Sequence, residues 1–412
     1  MRTDRPPEWK ELHEKASVVD LHAHPSLAAM LFHRAFARRY TTVSRAFDPR
    51  SIRTNFTRLA EGGVDVLLSA AYPPEKQILD DISLFGILRL RHLRYIPWPP
   101  IQRIWDQGLK PPYLQVANNL FDEIEDQVRL HNKKRHKRNV EIATSVGRLN
   151  EILGQGQDAP IALVHSVEGA HSLEGEVCRV SDNEKDILDE LLGNLDRLFQ
   201  RGVAYLTLAH FYPNQVVAPV FPFPEDVLQF YRGPLWRDLT LGLTPCGEKI
   251  VEEMVGKGMI IDVAHCTPTA RRQIYDIVGN RQPIVATHVG AFEVNPSPYN
   301  LTDSEIRRIA DAGGMVGVIF MNYWLVPYTA GLGINHIART IKHVVNVAGV
   351  ECVGIGSDFD GFTDPPDDLK EPGELPRLTE RLLADQYSGD VIMKILGGNA
   401  LRVLRQGWKK QD

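Results

Sequence analysis

The chain is predicted to fold as an α/β protein, a (β/α)8 barrel of the metal-dependent hydrolase type, on three observations. Eight short apolar runs rich in β-branched residues punctuate it, and eight is the number that closes a parallel barrel. The segments between those runs carry helix start signals. Five runs end in metal-binding side chains: Asp20-Leu21-His22-Ala23-His24, His165-Ser166-Val167-Glu168, Asp262-Val263-Ala264-His265, Thr287-His288 and Ser357-Asp358. Imidazoles and carboxylates at the exits of several buried strands converge on one point only when the strands run parallel.

In order, the runs are Ser17 to His24, Val64 to Tyr72, Pro160 to Glu168, Ala204 to His210, Met259 to His265, Pro283 to His288, Met315 to Met321 and Cys352 to Asp358. Each is close to continuously apolar, as strands covered on both faces are. Between them, Thr244-Pro245 and Thr267-Pro268 pair a hydroxyl cap with proline at the first helical position, and Thr302-Asp303-Ser304-Glu305 reads as a capping box. Regular alternation of strand and helix over eight units favours a closed barrel over an open doubly wound sheet. A single elaborated domain over 1–412 is expected, with insertions at about 82–115 and 211–240 above the C-terminal face.

Of the 412 residues, 43% are hydrophobic and 24% charged, with a formal net charge of -5, an ordinary balance that argues against a nucleic-acid partner. The start, Met1-Arg2-Thr3-Asp4-Arg5, is charged, and no stretch reaches the ~18 apolar residues of a membrane span, so a cytoplasmic protein without a transmembrane segment is expected. Cys178, Cys246, Cys266 and Cys352 show no paired spacing and read as free buried thiols.

The carboxyl ends of the runs hold His22 and His24, Tyr72, Glu168, His210, His265, His288, Asn322 and Asp358, on the face where barrels carry their active sites. His22 and His24, two apart on a strand, lean to one side and can bind one ion. Glu168 can bridge two ions about 3.5 to 4 Å apart, and His265 with His288 supplies the second. By the same alternation His165 points away from Glu168, and His171 opens the next segment.

Three further stretches stand out. Phe211, Tyr212, Phe221, Phe223, Phe230, Tyr231 and Trp236 lie among prolines directly after His210. They read either as a rigid apolar loop over the mouth, selecting a hydrophobic substrate, or as packing on the rim or a second subunit. The apolar and basic mixture from Ile82 to Trp105 reads as a lid or a homodimer contact in preference to a membrane-surface helix. The run Lys133-Lys134-Arg135-His136-Lys137-Arg138, following an acidic helical stretch, reads as a solvated face.

Several segments together resemble the renal dipeptidase (membrane dipeptidase) family of zinc peptidases in the amidohydrolase superfamily. They are Asp20-Leu21-His22-Ala23-His24, Val167-Glu168-Gly169-Ala170-His171-Ser172-Leu173, Tyr205-Leu206-Thr207-Leu208-Ala209-His210, Gly242-Leu243-Thr244-Pro245-Cys246-Gly247, Ile261-Asp262-Val263-Ala264-His265, Thr287-His288, Gly354-Ile355-Gly356-Ser357-Asp358-Phe359-Asp360-Gly361 and Gly397-Gly398-Asn399-Ala400-Leu401-Arg402. The resemblance runs from about residue 16 to residue 405. It implies two divalent metal ions, zinc by expectation, with Glu168 bridging, His22 and the position of His24 on one and His265 and His288 on the other. It also implies that His210 faces the carbonyl of a dipeptide and that Asp358 accepts the proton of the attacking water.

Two positions depart from the resembled pattern. His24 stands where that pattern has Asp, which makes the site about one unit more positive. Tyr299 precedes Asn300 where an Arg would bind the dipeptide carboxylate, and a phenol donates one hydrogen bond without neutralising that charge. Tyr299 and Asn300 are therefore expected at the substrate, and N-acyl amino acids, other amides and lactones stand beside dipeptides. A barrel without turnover, used for binding, is the alternative of a different class; His210 and Asp358 argue against it, since a structural metal has no use for them.

Overall fold

The computed structural model describes residues 7–32, 35–36, 52–81, 83–84, 88–96, 98–99, 102, 104–156, 158–221, 237–326, 333–361 and 364–411. The eight apolar runs form the eight strands of a closed parallel barrel: β1 (Val18–Ala23), β2 (Val64–Ala71), β3 (Ile161–Glu168), β4 (Tyr205–Thr207), β5 (Ile260–Asp262), β6 (Ile284–Val289), β7 (Met315–Val318) and β8 (Val353–Ile355). Each pairs with the next, and β8 pairs with β1 through Ile355 and Asp20, which closes the ring. β1, β3 and β6 are buried at every residue, which is why they read as unbroken apolar runs.

A ninth strand, Val140–Ala143, was not expected. It pairs with the first half of β3 while β4 pairs only with Val167 and Glu168 at its end. Because β4 has three residues, the start of β3 would otherwise keep an open row of peptide groups, and the added strand satisfies it.

The predicted helix starts are all present. Thr244 and Thr267 cap Pro245–Lys257 and Pro268–Val278, and Thr302 with Glu305 makes both bonds of a capping box on Asp303–Asp311. At the opposite end of the barrel Gly397 lies so close to β1 that a Cβ there would meet the Ser17 carbonyl at 2.1 Å. Asn399 beside it donates to the Val350 and Val353 carbonyls at 2.7 and 2.8 Å, so this motif is a floor brace for β8.

Two expectations are corrected. Lys133–Arg138 follows the end of helix Tyr113–Asn132 and lies in the connection to the ninth strand. Its last member, Arg138, turns inward to the Val64 and Ala159 carbonyls and to Asp65 Oδ1 at 2.9 Å, so only part of the run is a solvated face. All four cysteines are free, but Cys178 and Cys246 are only partly buried. In the first insertion the described backbone forms a two-residue hairpin, Ser83–Leu84 with Leu88–Arg89, and Tyr95 and Trp98 are exposed. Phe223, Phe230, Tyr231 and Trp236 of the second lie outside the described residues, whereas Phe211 and Tyr212 are buried on the rim with Phe221 against them. No helix among the described residues is long and apolar enough to cross a membrane.

Candidate metal centre

The alternation of β1 places His22 and His24 on one face, and their Nε2 atoms lie 3.0 Å apart. From β6 and the turn after β5, His288 and His265 form a second such pair, also with Nε2 atoms 3.0 Å apart. Glu168, at the end of β3, stands between the pairs. Its Oε1 is 3.3 Å from His22 Nε2, 3.3 Å from His265 Nε2 and 3.2 Å from His288 Nε2, and its Oε2 is 3.3 Å from His24 Nε2. Asp358 Oδ1 is 3.3 Å from His24 Nε2 and 3.9 Å from His22 Nε2. His210 Nε2 reaches Glu168 Oε2 at 3.6 Å. Thus seven residues named from the sequence come together at the C-terminal mouth, and every imidazole among them presents Nε2.

Outer hydrogen bonds fix two tautomers. The Tyr205 hydroxyl donates to the Leu21 carbonyl at 2.9 Å, so it accepts from His22 Nδ1–H at 2.7 Å. The Thr287 hydroxyl donates to Asp262 Oδ2 at 2.6 Å and accepts from His288 Nδ1–H at 2.8 Å. With Nδ1 carrying the proton, each ring turns a lone pair inward, as metal-ligating histidines do. Burial above all holds His22 and His265 down to about 4, so both are neutral near neutral pH. Burial opposes the charged form of His288 as well, but Glu168, Asp358 and Asp262 together outweigh it and the net shift is upward.

Lone pairs of paired imidazoles aimed at one another and at two carboxylates repel, and a divalent cation among them removes the repulsion; this donor set, nitrogen and carboxylate oxygen, fits such an ion. Three groupings at this site meet the geometric requirement: His22, His24 and Asp358; His22, Glu168 and His288; Glu168, His210 and His265. His265 and Asp358 both adopt left-handed backbone, φ 65° and 56°, strain of the kind that functional sites retain. Gly361 leaves room for the Asp358 carboxylate, since a Cβ there would lie 2.0 Å from Oδ1.

Buried carboxylates complete the frame. Asp20 accepts from the Ser357 hydroxyl at 2.5 Å and its amide at 2.9 Å, tying β1 to β8, and burial lifts its pKa to about 6. Asp262 plays the matching part on the other side, accepting from the Thr207 and Thr287 hydroxyls at 2.6 Å and the Thr287 amide at 2.9 Å. Glu75, in the loop after β2, accepts from His210 Nδ1 at 2.8 Å. Burial opposes its ionisation, but His210 and His171 outweigh that and hold it at about 2, while Glu168 and Glu75 together lift His210 to about 9 against its own burial. Asp20 and Asp262 were visible in the sequence as carboxylates inside apolar runs, a costly placement that signals a partner. Glu75 follows Pro73-Pro74 in a loop, where no periodicity marks it.

Two expected substrate residues are used otherwise. Tyr299 is 1% exposed; its hydroxyl donates to the His288 carbonyl at 2.8 Å and its ring stacks on Trp324, centroids 4.2 Å apart. Asn300 accepts from the Gly290 amide and donates to the Asn295 and Trp324 carbonyls, so both ends of its amide brace backbone. Asn322 likewise braces the loop near Asp364 and Pro365, and Tyr72 donates to Glu75. His165 faces away from the ligand face to Glu125 at 3.0 Å, and His171 lies 2.8 Å from the Pro73 carbonyl with its Nδ1 4.0 Å from Glu75 Oε1.

A closed parallel barrel with imidazoles and carboxylates meeting above its C-terminal end defines a metal-dependent hydrolase. The chain belongs to the membrane dipeptidase family (peptidase family M19), whose model matches residues 7–411. Dependence on divalent metal comes with that family. An uncharacterized protein in the pqqA 5' region of Klebsiella pneumoniae is 32% identical over 283 residues, 65% of this chain and 93% of that one. Human dipeptidase 3 is 29% identical over 252 residues, 61% of this chain and 49% of its own length, so the chain spans about half of that relative. In fold it is similar to a metallopeptidase from Rhodobacter sphaeroides, solved with a phosphinate mimic of L-Ala-D-Ala, with TM-score 0.69 and 21% identity over 95% and 99% of the two chains. The probable dipeptidase PvdM from Pseudomonas aeruginosa gives TM-score 0.67 and 19% identity over 97% and 98%.

Proposed function

We propose that this protein hydrolyses the amide bond of a dipeptide or closely related small substrate, using two divalent ions, zinc in the first instance. The observation that carries the reading is the convergence of two imidazole pairs on one buried carboxylate, Glu168, with His22, His265 and His288 at Oε1 and His24 at Oε2. His22 and His24 would hold one ion and His265 and His288 the other, with Glu168 shared. Ions bound there supply Lewis acidity and make water more acidic. Asp358, at the edge of the His22 and His24 pair, takes the proton from the attacking water and returns it to the leaving amine. His210, opposite it and held by Glu75, donates to the carbonyl oxygen as negative charge develops there.

A second reading follows from Tyr299. With its hydroxyl committed to His288, it cannot stand in for an arginine fork, so N-acyl amino acids, other amides or lactones are admitted on the same machinery. The test is hydrolysis of a panel of L-L and L-D dipeptides beside N-acyl amino acids and lactones, with added zinc and with chelator. Chelator-sensitive dipeptide cleavage supports the first reading; cleavage confined to the other substrates transfers support to the second, and no turnover on any would favour a barrel used for binding.

A further inference from the structure

Glu75 is 1% exposed, and each of its two oxygens serves two neighbours. Oε2 accepts from the Tyr72 hydroxyl at 2.9 Å and from His210 Nδ1 at 2.8 Å. Oε1 accepts from the backbone amides of Phe211 and Tyr212, each at 2.9 Å. A carboxylate offers about four acceptor positions, so all are filled. On one side this commits the Nδ1 proton of His210 and aims Nε2 at Glu168, 3.6 Å away.

On the other side lies the root of the aromatic insertion. Phe211 and Tyr212 pack on each other, centroids 5.2 Å apart, and Phe211 meets Phe221 edge on at 5.6 Å. The Tyr212 hydroxyl donates to Asp81 Oδ2 at 2.8 Å. Arg237, across the insertion, covers the rings of Tyr212 and Phe221 and donates to the Phe211 carbonyl at 3.2 Å. Both ends of the insertion therefore meet at the two residues whose amides Glu75 holds. Removing the carboxylate would leave two backbone amides and the Nδ1–H of His210 facing an unfilled space, each needing a new partner.

We propose that Glu75 is a positioning residue that locks the His210 ring to the seated root of the 211–240 insertion, so that loosening the loop root and misaligning His210 are one event. This rests on the role given above to His210. The packing of Phe211 and Tyr212 at the root thus also sets how well the carbonyl-facing imidazole is presented.

The test uses the metal-loaded full chain as wild type, Glu75→Gln, Glu75→Asp, His210→Ala and the Glu75→Gln/His210→Ala pair. Turnover of L-Ala-L-Ala, metal content and the rate of proteolytic cleavage within 211–240 are measured on each. Glu75→Gln is expected to lower kcat about 10²-fold with KM within a few-fold and metal content unchanged. The pair is expected to be no slower than His210→Ala alone, because the two residues act as one unit. Cleavage within 211–240 should speed up several-fold in Glu75→Gln and not in His210→Ala. Glu75→Asp keeps the charge but is one methylene short, so it should stay slow, and it carries the comparison if the Gln variant does not fold. Additive losses, or wild-type kcat and cleavage in the Glu75 variants, would overturn the proposal. Wild-type kcat in His210→Ala would remove the role of His210 and with it the catalytic half of the coupling, whereas a wild type inert on L-Ala-L-Ala strikes the dipeptidase reading and leaves the cleavage rates to decide on Glu75.

Discussion

At position 24 an imidazole supplies Nε2 to a cluster whose anionic charge comes from Glu168 and Asp358. A carboxylate there would add one negative charge beside a divalent ion, which a neutral ring does not. His24→Asp is therefore expected to slow loss of the ion to chelator by about tenfold or more. Unchanged release kinetics would place His24 outside the ligand set. Asp358 is a different case, since its proposed work is proton transfer. Asp358→Asn should keep most of the metal and lose about 10²- to 10⁴-fold in kcat, and full activity in that variant would refute the proton path. The ligand-type residues were legible because each ends a strand; strand direction and period alone bring them together. Glu75, Tyr205 and Thr287 were not, because their part is set by hydrogen bonds between segments more than a hundred residues apart for the first two, and through the buried Asp262 for the third.

Among the elements, the strands and capped helices were readable because burial on both faces and hydroxyl caps leave local marks, as Thr244, Thr267 and Thr302 illustrate. The strand Val140–Ala143 left no such mark, since it exists to satisfy the edge of β3 above a three-residue β4. The seam between the first helix, Glu8–Lys15, and the barrel floor carries a pH prediction. His13 lies there, buried, 2.7 Å from the Thr379 hydroxyl and 2.9 Å from the Gly62 carbonyl. Burial lowers its pKa below the ordinary 6.5. Protonation therefore favours the unfolded chain, so the contribution of His13 is complete above about pH 6.5 and is lost as pH falls through the lower, folded value. Melting temperatures of wild type and His13→Gln should differ most near pH 8 and converge as pH drops below about 6.5. A gap that stays constant down to pH 5 would show that the fold does not lower the pKa of His13.

For the whole molecule, the barrel matters because it brings together groups from β1, β3, β6, the end of β5 and the end of β8 that share no local sequence. Convergence of these side chains was thus foreseeable once eight parallel strands were recognised. The use made of Tyr299 was not, because its hydroxyl is committed to a carbonyl partner that only the fold reveals. Since the ligands converge only in the folded barrel, bound metal should also stabilise it, and chelator should lower the melting temperature. The most direct measurement is metal content per chain, determined with turnover on the same preparations, for wild type and Glu168→Ala. Two ions per wild-type chain, with both metal and activity lost in Glu168→Ala, is the expected result; a Glu168→Ala protein that keeps its metal and its turnover would contradict a centre built around that carboxylate.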